Sequence, residues 1–195
     1  MRIAVVGAGS WGTTLAGLLA DKGIEVSLWV REEELAGIIR ETLENDWFLP
    51  GMKLPQSLIV SSDLGQSLKG AHFVLMAVPC QFLRIVVRQM RDTLPVQPVV
   101  VCCSKGIETE SLQPMSGVIM DELRDLGAEY AVLSGPSFAK EVSRGLPTAV
   151  TLGCQNKALG ADLQIVLSTD YFRVYLSPDY RGVELGGALK NVMAI

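Results

Sequence analysis

The amino-acid sequence predicts an α/β fold, with a doubly wound, mostly parallel sheet that is covered by helices on both faces. Short apolar runs alternate with helical patterns along the chain, which is typical of strand–helix units and a parallel sheet. Of the 195 residues, 49% are hydrophobic and 19% are charged, a composition that suits a sheet buried on both sides. The length is sufficient for one large domain with a sizeable core.

Eight apolar runs are the strand candidates. Six of them are predicted to form the main parallel sheet, at residues 2–6, 26–30, 58–60, 73–78, 99–103 and 130–133. Two later runs are predicted to extend this sheet, at residues 148–152 and 172–175. Between the first two strands, Leu15, Leu18 and Leu19 line one face of a helix. Gly23 stands where a left-handed cap would end that helix.

Charge and hydropathy exclude several classes of protein. The formal net charge is -4, which argues against a general nucleic-acid binder. The longest apolar run, 73–79, is far shorter than the roughly 20 residues of a membrane-spanning helix. The N-terminal run breaks into glycines rather than continuing as a signal-peptide core, so we expect a cytoplasmic protein without a membrane span.

The four cysteines predict neither a metal site nor a disulfide framework. They lie at positions 80, 102, 103 and 154 without CxxC spacing, and the chain has only one histidine, His72, to join them. Adjacent Cys102 and Cys103 lie in the apolar run VVVCCS, where free cysteines pack as small hydrophobic side chains. We therefore expect core cysteines and no metal cofactor.

The glycine-rich string GAGSWG, which begins at Gly7, is the strongest single motif. It follows an apolar strand directly and opens an amphipathic helix, which is the context of a dinucleotide-binding turn. Gly7, Gly9 and Gly12 permit the tight turn and let the backbone approach a pyrophosphate, which the helix N-terminus stabilises. Ser10 and Trp11 supply side chains beside that phosphate. The motif predicts a Rossmann-like cofactor site, with a tight turn that binds no ligand as the alternative.

Arg31 lies about 20 residues after the glycine motif, in the string LWVREEE at the end of the second predicted strand. A fold that binds NAD usually places Asp or Glu there to accept hydrogen bonds from the ribose hydroxyls. A guanidinium suits a 2′-phosphate instead, so NADP(H) is mildly favoured over NAD(H). Two alternatives stay open: Glu32 serves a ribose, or Arg31 only begins a solvated helix.

Three further loops carry glycine, proline and lysine at the ends of predicted strands. The string VLMAVP ends at Pro79, VVVCCSKG contains Lys105, and YAVLSGPSFA contains Gly135 and Ser137. Ligands of open α/β sheets bind outside the carboxyl ends of the strands, so we expect the loops to converge on one groove. There Lys105 is suited to a phosphate or polar substrate group, and Gly135 and Ser137 offer backbone donors and a hydroxyl. Taken singly, each loop is more often an ordinary turn.

The last segment, GVELGGALKNVMAI, is predicted to be helical over residues 185–195. A 100° step per residue groups four apolar side chains on one side, at Leu185, Leu189, Val192 and Met193. Lys190 projects from another side, which is lined by the small residues Gly186, Gly187 and Ala194. Periodicity alone favours a solvated lysine, whereas the small residues leave space for a flat or bulky group beside the ammonium.

Seven strings along the chain resemble one known family. In order they are GAGSWGTTLA, LPGMKLP, AVPCQFLR, SKGIE, LSGPSFAKEV, GLPTAV and GVELGGALKN. Together they resemble the NAD(P)-dependent glycerol-3-phosphate dehydrogenases of the bacterial type, over nearly the whole chain. The resemblance implies interconversion of dihydroxyacetone phosphate and sn-glycerol 3-phosphate, which supplies the backbone of phospholipids. It also implies a small phosphorylated substrate, in keeping with the charge, which argues against nucleic acid as a partner, and it leaves a homodimer open.

The resemblance also implies roles for individual residues. Cofactor contacts fall on Ser10, Trp11, Arg31 and Ala139. Substrate contacts fall on Gly135 and Ser137. Lys105 matches a residue shared by cofactor and substrate, and Lys190 matches the family's catalytic lysine, which also contacts the substrate.

Members of this family continue into a second, largely helical domain that closes the cleft. We therefore expect residues 1–177 to form the NAD(P)-binding domain and residues 178–195 to be the first helix of a truncated C-terminal substrate domain. Such an N-terminal fragment, natural or engineered, is expected to bind a dinucleotide with little turnover. Substrate positioning and the exclusion of water would both be incomplete.

Two other functions compete with this interpretation. One is a related two-domain dehydrogenase that acts on a hydroxy acid or hydroxyacyl substrate. Such sites commonly use a histidine, and His72 opens a strand without a carboxylate at a suggestive spacing. The other is a sensor module that binds NAD(P) without catalysis, for which Lys190 would be dispensable.

Overall fold

An eight-stranded sheet forms the centre of the fold, and a two-stranded hairpin lies beside it. The structure is a computed structural model that describes residues 1–193. Its strands are β1 Arg2–Val6, β2 Glu25–Trp29, β3 Glu44–Asn45, β4 Leu49–Lys53, β5 Ile59–Ser61, β6 Phe73–Met76, β7 Val99–Cys102, β8 Glu129–Ser134, β9 Thr148–Cys154 and β10 Phe172–Ser177. Its α-helices are α1 Ser10–Asp21, α2 Glu33–Thr42, α3 Leu64–Leu68, α4 Leu83–Met90, α5 Met115–Leu123, α6 Ala139–Val142, α7 Lys157–Leu167 and α8 Tyr180–Met193.

The strand order in the main sheet is β10-β9-β8-β7-β6-β1-β2-β5. Neighbouring strands run parallel except for β8 and β9, which pair antiparallel with Val132 opposite Gly153. The predicted doubly wound, mostly parallel sheet is confirmed, and each predicted strand is present with its ends shifted by at most two residues. The sequence does not predict the reversal at β9, because an apolar run has the same pattern in either direction.

Apolar side chains cover both faces of the sheet. On one face Leu15, Leu28 and Leu163 belong to a cluster that joins α1, α2 and α7 to the strands. On the other face Met76 and Ile119 belong to a cluster that includes the apolar sides of α4 and α5. Burial of each such side chain contributes about 1.5–3 kcal/mol to stability, so these clusters hold the helices on the two faces of the sheet.

Two local predictions are confirmed. Gly23 follows α1 with a φ of +84°, and its amide donates to the carbonyl of Ala20, so it is the left-handed residue that ends the helix. Cys102 and Cys103 are buried, at 0% and 3% exposure, and they belong to the clusters on opposite faces of the sheet. Burial raises the pKa of the Cys102 thiol to about 12, so this cysteine packs as a neutral apolar group.

The hairpin of β3 and β4 is a feature that the sequence does not predict. Its anchor is Asn45, which is fully buried and whose Nδ2 donates to the Ala8 carbonyl at 2.9 Å and to Thr13 Oγ1 at 2.8 Å. The Asn45 side-chain oxygen in turn accepts the amide of Phe48 at 3.1 Å. The hairpin is thereby attached to the glycine-rich loop, with Phe48 beside it.

The terminal helix α8 begins at Tyr180, five residues before the predicted start, and packs on β8 and β9. On its apolar side Leu185 and Leu189 are about half exposed. Their predicted partners Val192 and Met193, and Ala194, which is predicted beside Lys190, lie outside the side chains that the structure describes. A domain boundary after Ser177 stays a prediction. Within residues 1–193 there is no helix both long and apolar enough to cross a membrane.

Candidate active site

The glycine-rich loop follows β1 and depends sterically on two of its glycines. Gly7 has a φ of +112°, and a Cβ there would lie 2.7 Å from the carbonyl oxygen of Ala77. A Cβ at Gly12 would strike the carbonyl oxygen of Gly7. Gly12 therefore lies beneath the loop as a packing residue, which is one of the roles that a dinucleotide-binding turn needs.

The N-terminus of α1 faces open space. Gly9 is the N-cap and has no side chain to bond the first amides, and a Cβ built on it would meet no protein atom within 4 Å. The first amides of a helix have no acceptor within the helix. The amides that follow Gly9 are consequently free to bind an anion such as a pyrophosphate.

A cleft of about 690 Å³ opens in front of this loop. It brings together seven of the predicted cofactor residues, namely Gly7, Gly9, Ser10, Trp11, Arg31, Lys105 and Ala139. The predicted substrate residue Ser137 also lines it. A volume within the range of small-molecule and cofactor sites, a free helix N-terminus and a guanidinium together fit a dinucleotide.

Three aromatic side chains around this cleft are not predicted by the sequence. Phe48, Phe82 and Phe138 line it and are 46%, 53% and 62% exposed. Exposed aromatic rings around one cavity suit flat ligand rings. These three residues come from separate segments and share no spacing. Phe82 and Phe138 lie within the family strings AVPCQFLR and LSGPSFAKEV, and Phe48 lies in the aromatic pair of DWFLPG, but none of these patterns indicates an exposed ring.

Arg31 and Glu32 both line the cleft and pair with each other. The distance between Arg31 Nη2 and Glu32 Oε1 is 2.5 Å, and the side chain of Arg31 is 71% exposed. The arginine therefore projects beyond β2 as predicted, while the carboxylate beside it is engaged by the guanidinium. Both groups therefore stay candidates for a ribose contact at this edge.

A second cavity of about 290 Å³ lies between β8 and α8. Gly135, Gly186, Gly187 and Lys190 line it, so the two glycines of the predicted floor of small residues lie beside the lysine. A Cβ at Gly187 would strike Ser134 Oγ, which shows how closely α8 approaches β8. Lys190 is only partly exposed, and so it is not the fully solvated lysine that periodicity alone favours.

The two cavities meet at a pair of lysines. Lys190 Nζ lies 5.7 Å from the ring centroid of Phe138, and Phe138 lines the first cavity. Lys105 lines the first cavity, and its Nζ donates to the carbonyl of Gly135 in the second at 2.9 Å. Burial, followed by the charge of Lys190, lowers the pKa of Lys105 to about 8. Two neighbouring ammonium groups at this junction favour a ligand with negative charge.

The loop that carries Lys105 is held by an ion-pair network. Arg84 donates to both oxygens of Glu108, from Nε to Oε1 at 2.9 Å and from Nη2 to Oε2 at 2.8 Å. Arg84 Nη1 also donates to Glu122 Oε1 at 2.7 Å. Glu108 is 5% exposed, and the bidentate geometry adds both energy and direction. The network thus joins α4, α5 and the loop after β7.

We expect Arg84→Met to lower the free energy of unfolding at pH 7 by about 2 kcal/mol, because it leaves the Glu108 carboxylate buried without its partner. Arg84 and then Ser111 hold the pKa of Glu108 below its ordinary value. A lowered pKa in the folded state means that the stabilisation is present above the ordinary carboxyl pKa and is lost as the pH falls through the folded value.

Urea unfolding of both proteins between pH 7 and pH 3 checks this expectation. The difference between parent and variant should shrink toward the acid end. The control is Arg88→Met, whose exposed guanidinium contacts only Glu122 within this network and which should cost less stability. A difference that stays constant down to pH 3 would mean that Glu108 is not stabilised by Arg84.

Comparisons with known proteins support the same interpretation. The family model described as "NAD-dependent glycerol-3-phosphate dehydrogenase N-terminus" matches residues 2–160. A relative from Solidesulfovibrio magneticus named glycerol-3-phosphate dehydrogenase (NAD(P)+) is 52% identical over 195 residues, which is 100% of this chain and 59% of the relative. The chain thus spans less than two thirds of the length of that relative.

Two solved structures resemble the fold closely. A crystal structure of glycerol-3-phosphate dehydrogenase from Coxiella burnetii has a TM-score of 0.92 at 38% identity, and the match covers 99% of this chain and 58% of that one. The glycerol-3-phosphate dehydrogenase of Saccharomyces cerevisiae has a TM-score of 0.89 at 30% identity, covering 100% of this chain and 61% of that one. The resemblance predicted from the seven motifs is confirmed.

Proposed function

Because this chain belongs to the family of NAD-dependent glycerol-3-phosphate dehydrogenases, we propose that it is the cofactor-binding part of an enzyme that interconverts dihydroxyacetone phosphate and sn-glycerol 3-phosphate. The observation that carries this proposal is the junction of the two cavities, where Lys105 and Lys190 lie together. A dinucleotide in the larger cavity and a small phosphorylated substrate in the smaller one would meet there.

Residues of the larger cavity supply what a dinucleotide requires. The uncapped first turn of α1, from Ser10, offers backbone amides to the pyrophosphate. Phe48 and Phe82 offer apolar surface to flat rings, and Arg31 offers a guanidinium to a ribose 2′-phosphate. When bound, the nicotinamide supplies the hydride that the chemistry needs.

Lys190 is proposed as the acid and base of the reaction. A ketone that gains hydride at its central carbon develops negative charge on the oxygen, which an ammonium stabilises and then protonates. In the reverse direction the neutral amine of Lys190 removes the hydroxyl proton. The second ammonium, Lys105, is held by the Gly135 carbonyl and is proposed to bind a phosphate or polar group of the substrate. Gly135 and Ser137 are proposed as further substrate contacts.

Residues 1–177 are proposed to form the NAD(P)-binding domain, and residues 178–195 to begin a second domain. The half-exposed side chains of Leu185 and Leu189 are suited to pack against that domain. In the proposed setting the enzyme is cytoplasmic and serves glycerophospholipid synthesis.

The function is tested with the chain extended by the C-terminal part of the Solidesulfovibrio magneticus relative, called the extended enzyme below. Oxidation of NADPH, followed by absorbance, should be rapid with dihydroxyacetone phosphate and slow with a 2-keto acid. The 195-residue chain alone should be far slower than the extended enzyme. An extended enzyme that folds, binds NADPH and yet leaves dihydroxyacetone phosphate unreduced would contradict the proposal.

Cofactor preference is expected to depend on Arg31. Arg31→Ala should weaken binding of NADPH by about tenfold, because it removes one exposed charge-assisted contact of roughly 1.4 kcal/mol. Binding of NADH should be nearly unchanged. Fluorescence titration of the 195-residue chain with each cofactor measures both dissociation constants. Arg40→Ala, which removes another partly exposed arginine that pairs with Glu33, is the matched control. If NADH binds the parent far more tightly than NADPH, the proposed preference is wrong.

A further inference from the structure

We propose that Glu184 is a positioning residue, whose buried carboxylate fixes α8 on the sheet so that Lys190 faces Lys105 at the junction of the two cavities. The inference rests on the proposed function only for the chemistry assigned to Lys190. The inference explains the placement of the two lysines, and this placement is testable without cofactor or substrate.

The carboxylate of Glu184 is fully engaged. The residue is 4% exposed, and its Oε1 accepts the amide of Ser116 at 2.7 Å and the hydroxyl of Tyr130 at 2.8 Å. Oε2 accepts the Ser116 hydroxyl at 2.7 Å. Ser116 lies in the first turn of α5, where the helix dipole favours a negative charge. The three donors therefore join α8 both to α5 and to β8.

The donors of this anchor keep their protons. Burial raises the pKa of the Tyr130 hydroxyl well above its ordinary value, so that it is a neutral donor at neutral pH. An amide and a serine hydroxyl do not titrate in this range. A carboxylate with three such donors forms hydrogen bonds that are stronger than neutral ones.

The other contacts of α8 are aromatic, apolar or steric. At its first residue the Tyr180 ring packs edge-on against the Tyr130 ring, with centroids 5.6 Å apart, ten residues before Lys190. From Tyr180 to Lys190, the described side chains of α8 make hydrogen bonds to other elements only through Glu184. Leu185 and Leu189 are half exposed, so apolar burial fixes their side of the helix weakly. The steric contacts of Gly187 with Ser134 limit how near the helix lies, but a glycine has no side chain that resists sliding or rotation.

Glu184 and Lys190 are six residues apart, which is about 9 Å along the helix and about 240° around it. The glutamate thus points toward α5 and Tyr130 while the lysine points into the second cavity. A rotation or shift of α8 that releases the first side chain moves the second. Displacement of a reacting group by about 1 Å is enough to cost about 100-fold in rate.

The pKa of Lys105 reports where Lys190 lies, since the neighbouring charge is one of the causes that lower it, after burial. It is measured by titrating the 195-residue chain with ¹³C-labelled lysine, and the Lys105 signal is assigned by its absence in Lys105→Arg. In Lys190→Met the pKa of Lys105 should rise from about 8, because the repulsion is gone. The size of that rise is the full effect of the Lys190 charge on the pKa of Lys105.

In Glu184→Ala the pKa of Lys105 is expected to rise most of the way to its value in Lys190→Met. The conservative variant Glu184→Gln retains an acceptor for Ser116 and Tyr130 and should stay near the parent. In a Lys190→Met background, Glu184→Ala should add little, because both changes remove the same interaction. Leu185→Ala, on the neighbouring exposed position, is the control that should leave the pKa unchanged.

The proposal is overturned if folded Glu184→Ala keeps the parent value, or if its effect is equally large without Lys190. Should Glu184→Ala fail to fold, Tyr130→Phe removes one of the three hydrogen bonds without a cavity and should raise the pKa by a smaller amount. No rise in Tyr130→Phe would then overturn it. None of these outcomes depends on turnover, so failure of the proposed function remains distinguishable.

Discussion

Lys190→Ala is expected to lower kcat of the extended enzyme for dihydroxyacetone phosphate by about 100- to 10,000-fold, the usual contribution of a positioned acid or base. Binding of NADPH should change little, because Lys190 lines the smaller cavity and not the cofactor cleft. Initial rates from NADPH absorbance and a cofactor titration by fluorescence measure the two quantities separately.

Two variants sharpen this prediction. Lys190→Arg keeps the positive charge but does not transfer a proton readily, since a guanidinium stays protonated. It should therefore recover substrate binding more than kcat. Lys140→Ala removes an exposed lysine next to Ala139 at the cleft and should leave kcat within a few fold of the parent. Near-normal turnover in Lys190→Ala would favour a cofactor-binding sensor instead.

Gly12→Ala is expected to raise the dissociation constant for the dinucleotide by about 100-fold or more. It is also expected to destabilise the fold. The added Cβ would strike the Gly7 carbonyl, so the loop and α1 must separate, and overpacking of this kind typically costs about 1–3 kcal/mol. Displacement of the loop also removes the close approach of backbone to pyrophosphate. Fluorescence titration with NADPH and urea unfolding of the 195-residue chain test both effects.

Gly9→Ala tests dinucleotide binding at the glycine-rich loop separately from the stability of the fold. A Cβ at Gly9 meets no protein atom within 4 Å, so stability should be nearly unchanged. The methyl group projects into the space in front of the α1 N-terminus, where a pyrophosphate is expected, and binding should weaken by at least about tenfold, or 1.4 kcal/mol. If Gly9→Ala binds NADPH like the parent, the ligand does not lie against this turn.

Much of the sheet and the phosphate-binding turn follow from local sequence. The strands are continuous apolar runs because they are buried on both faces, and the glycine motif has a fixed position between strand and helix. The hairpin of β3 and β4 does not follow from local sequence in this way. Its aromatic residues Trp47 and Phe48 are exposed, and Pro50 and Gly51 interrupt any period, so neither alternation nor burial indicates it.

The parts of the site that the sequence does not predict are contacts between distant residues. Ser116 and Glu184 are 68 positions apart, and a buried carboxylate has no periodic signature by which to find its donors. Lys190 illustrates the same limit, since helix periodicity describes its own helix but not the approach of Lys105 from another loop. Such groups are identified by packing in three dimensions or by a family pattern.

The central claim is that a dinucleotide binds at the carboxyl edge of the sheet, between the glycine-rich loop and Lys105. Titration of the ¹⁵N-labelled 195-residue chain with NADPH tests it most directly. Saturable amide shifts should concentrate at residues 7–12, at Arg31 and Lys105, and at residues 137–139, with little change at Gly70 and Gly127, which precede β6 and β8. Absence of saturable binding, or shifts centred on Gly70 and Gly127, would contradict the account.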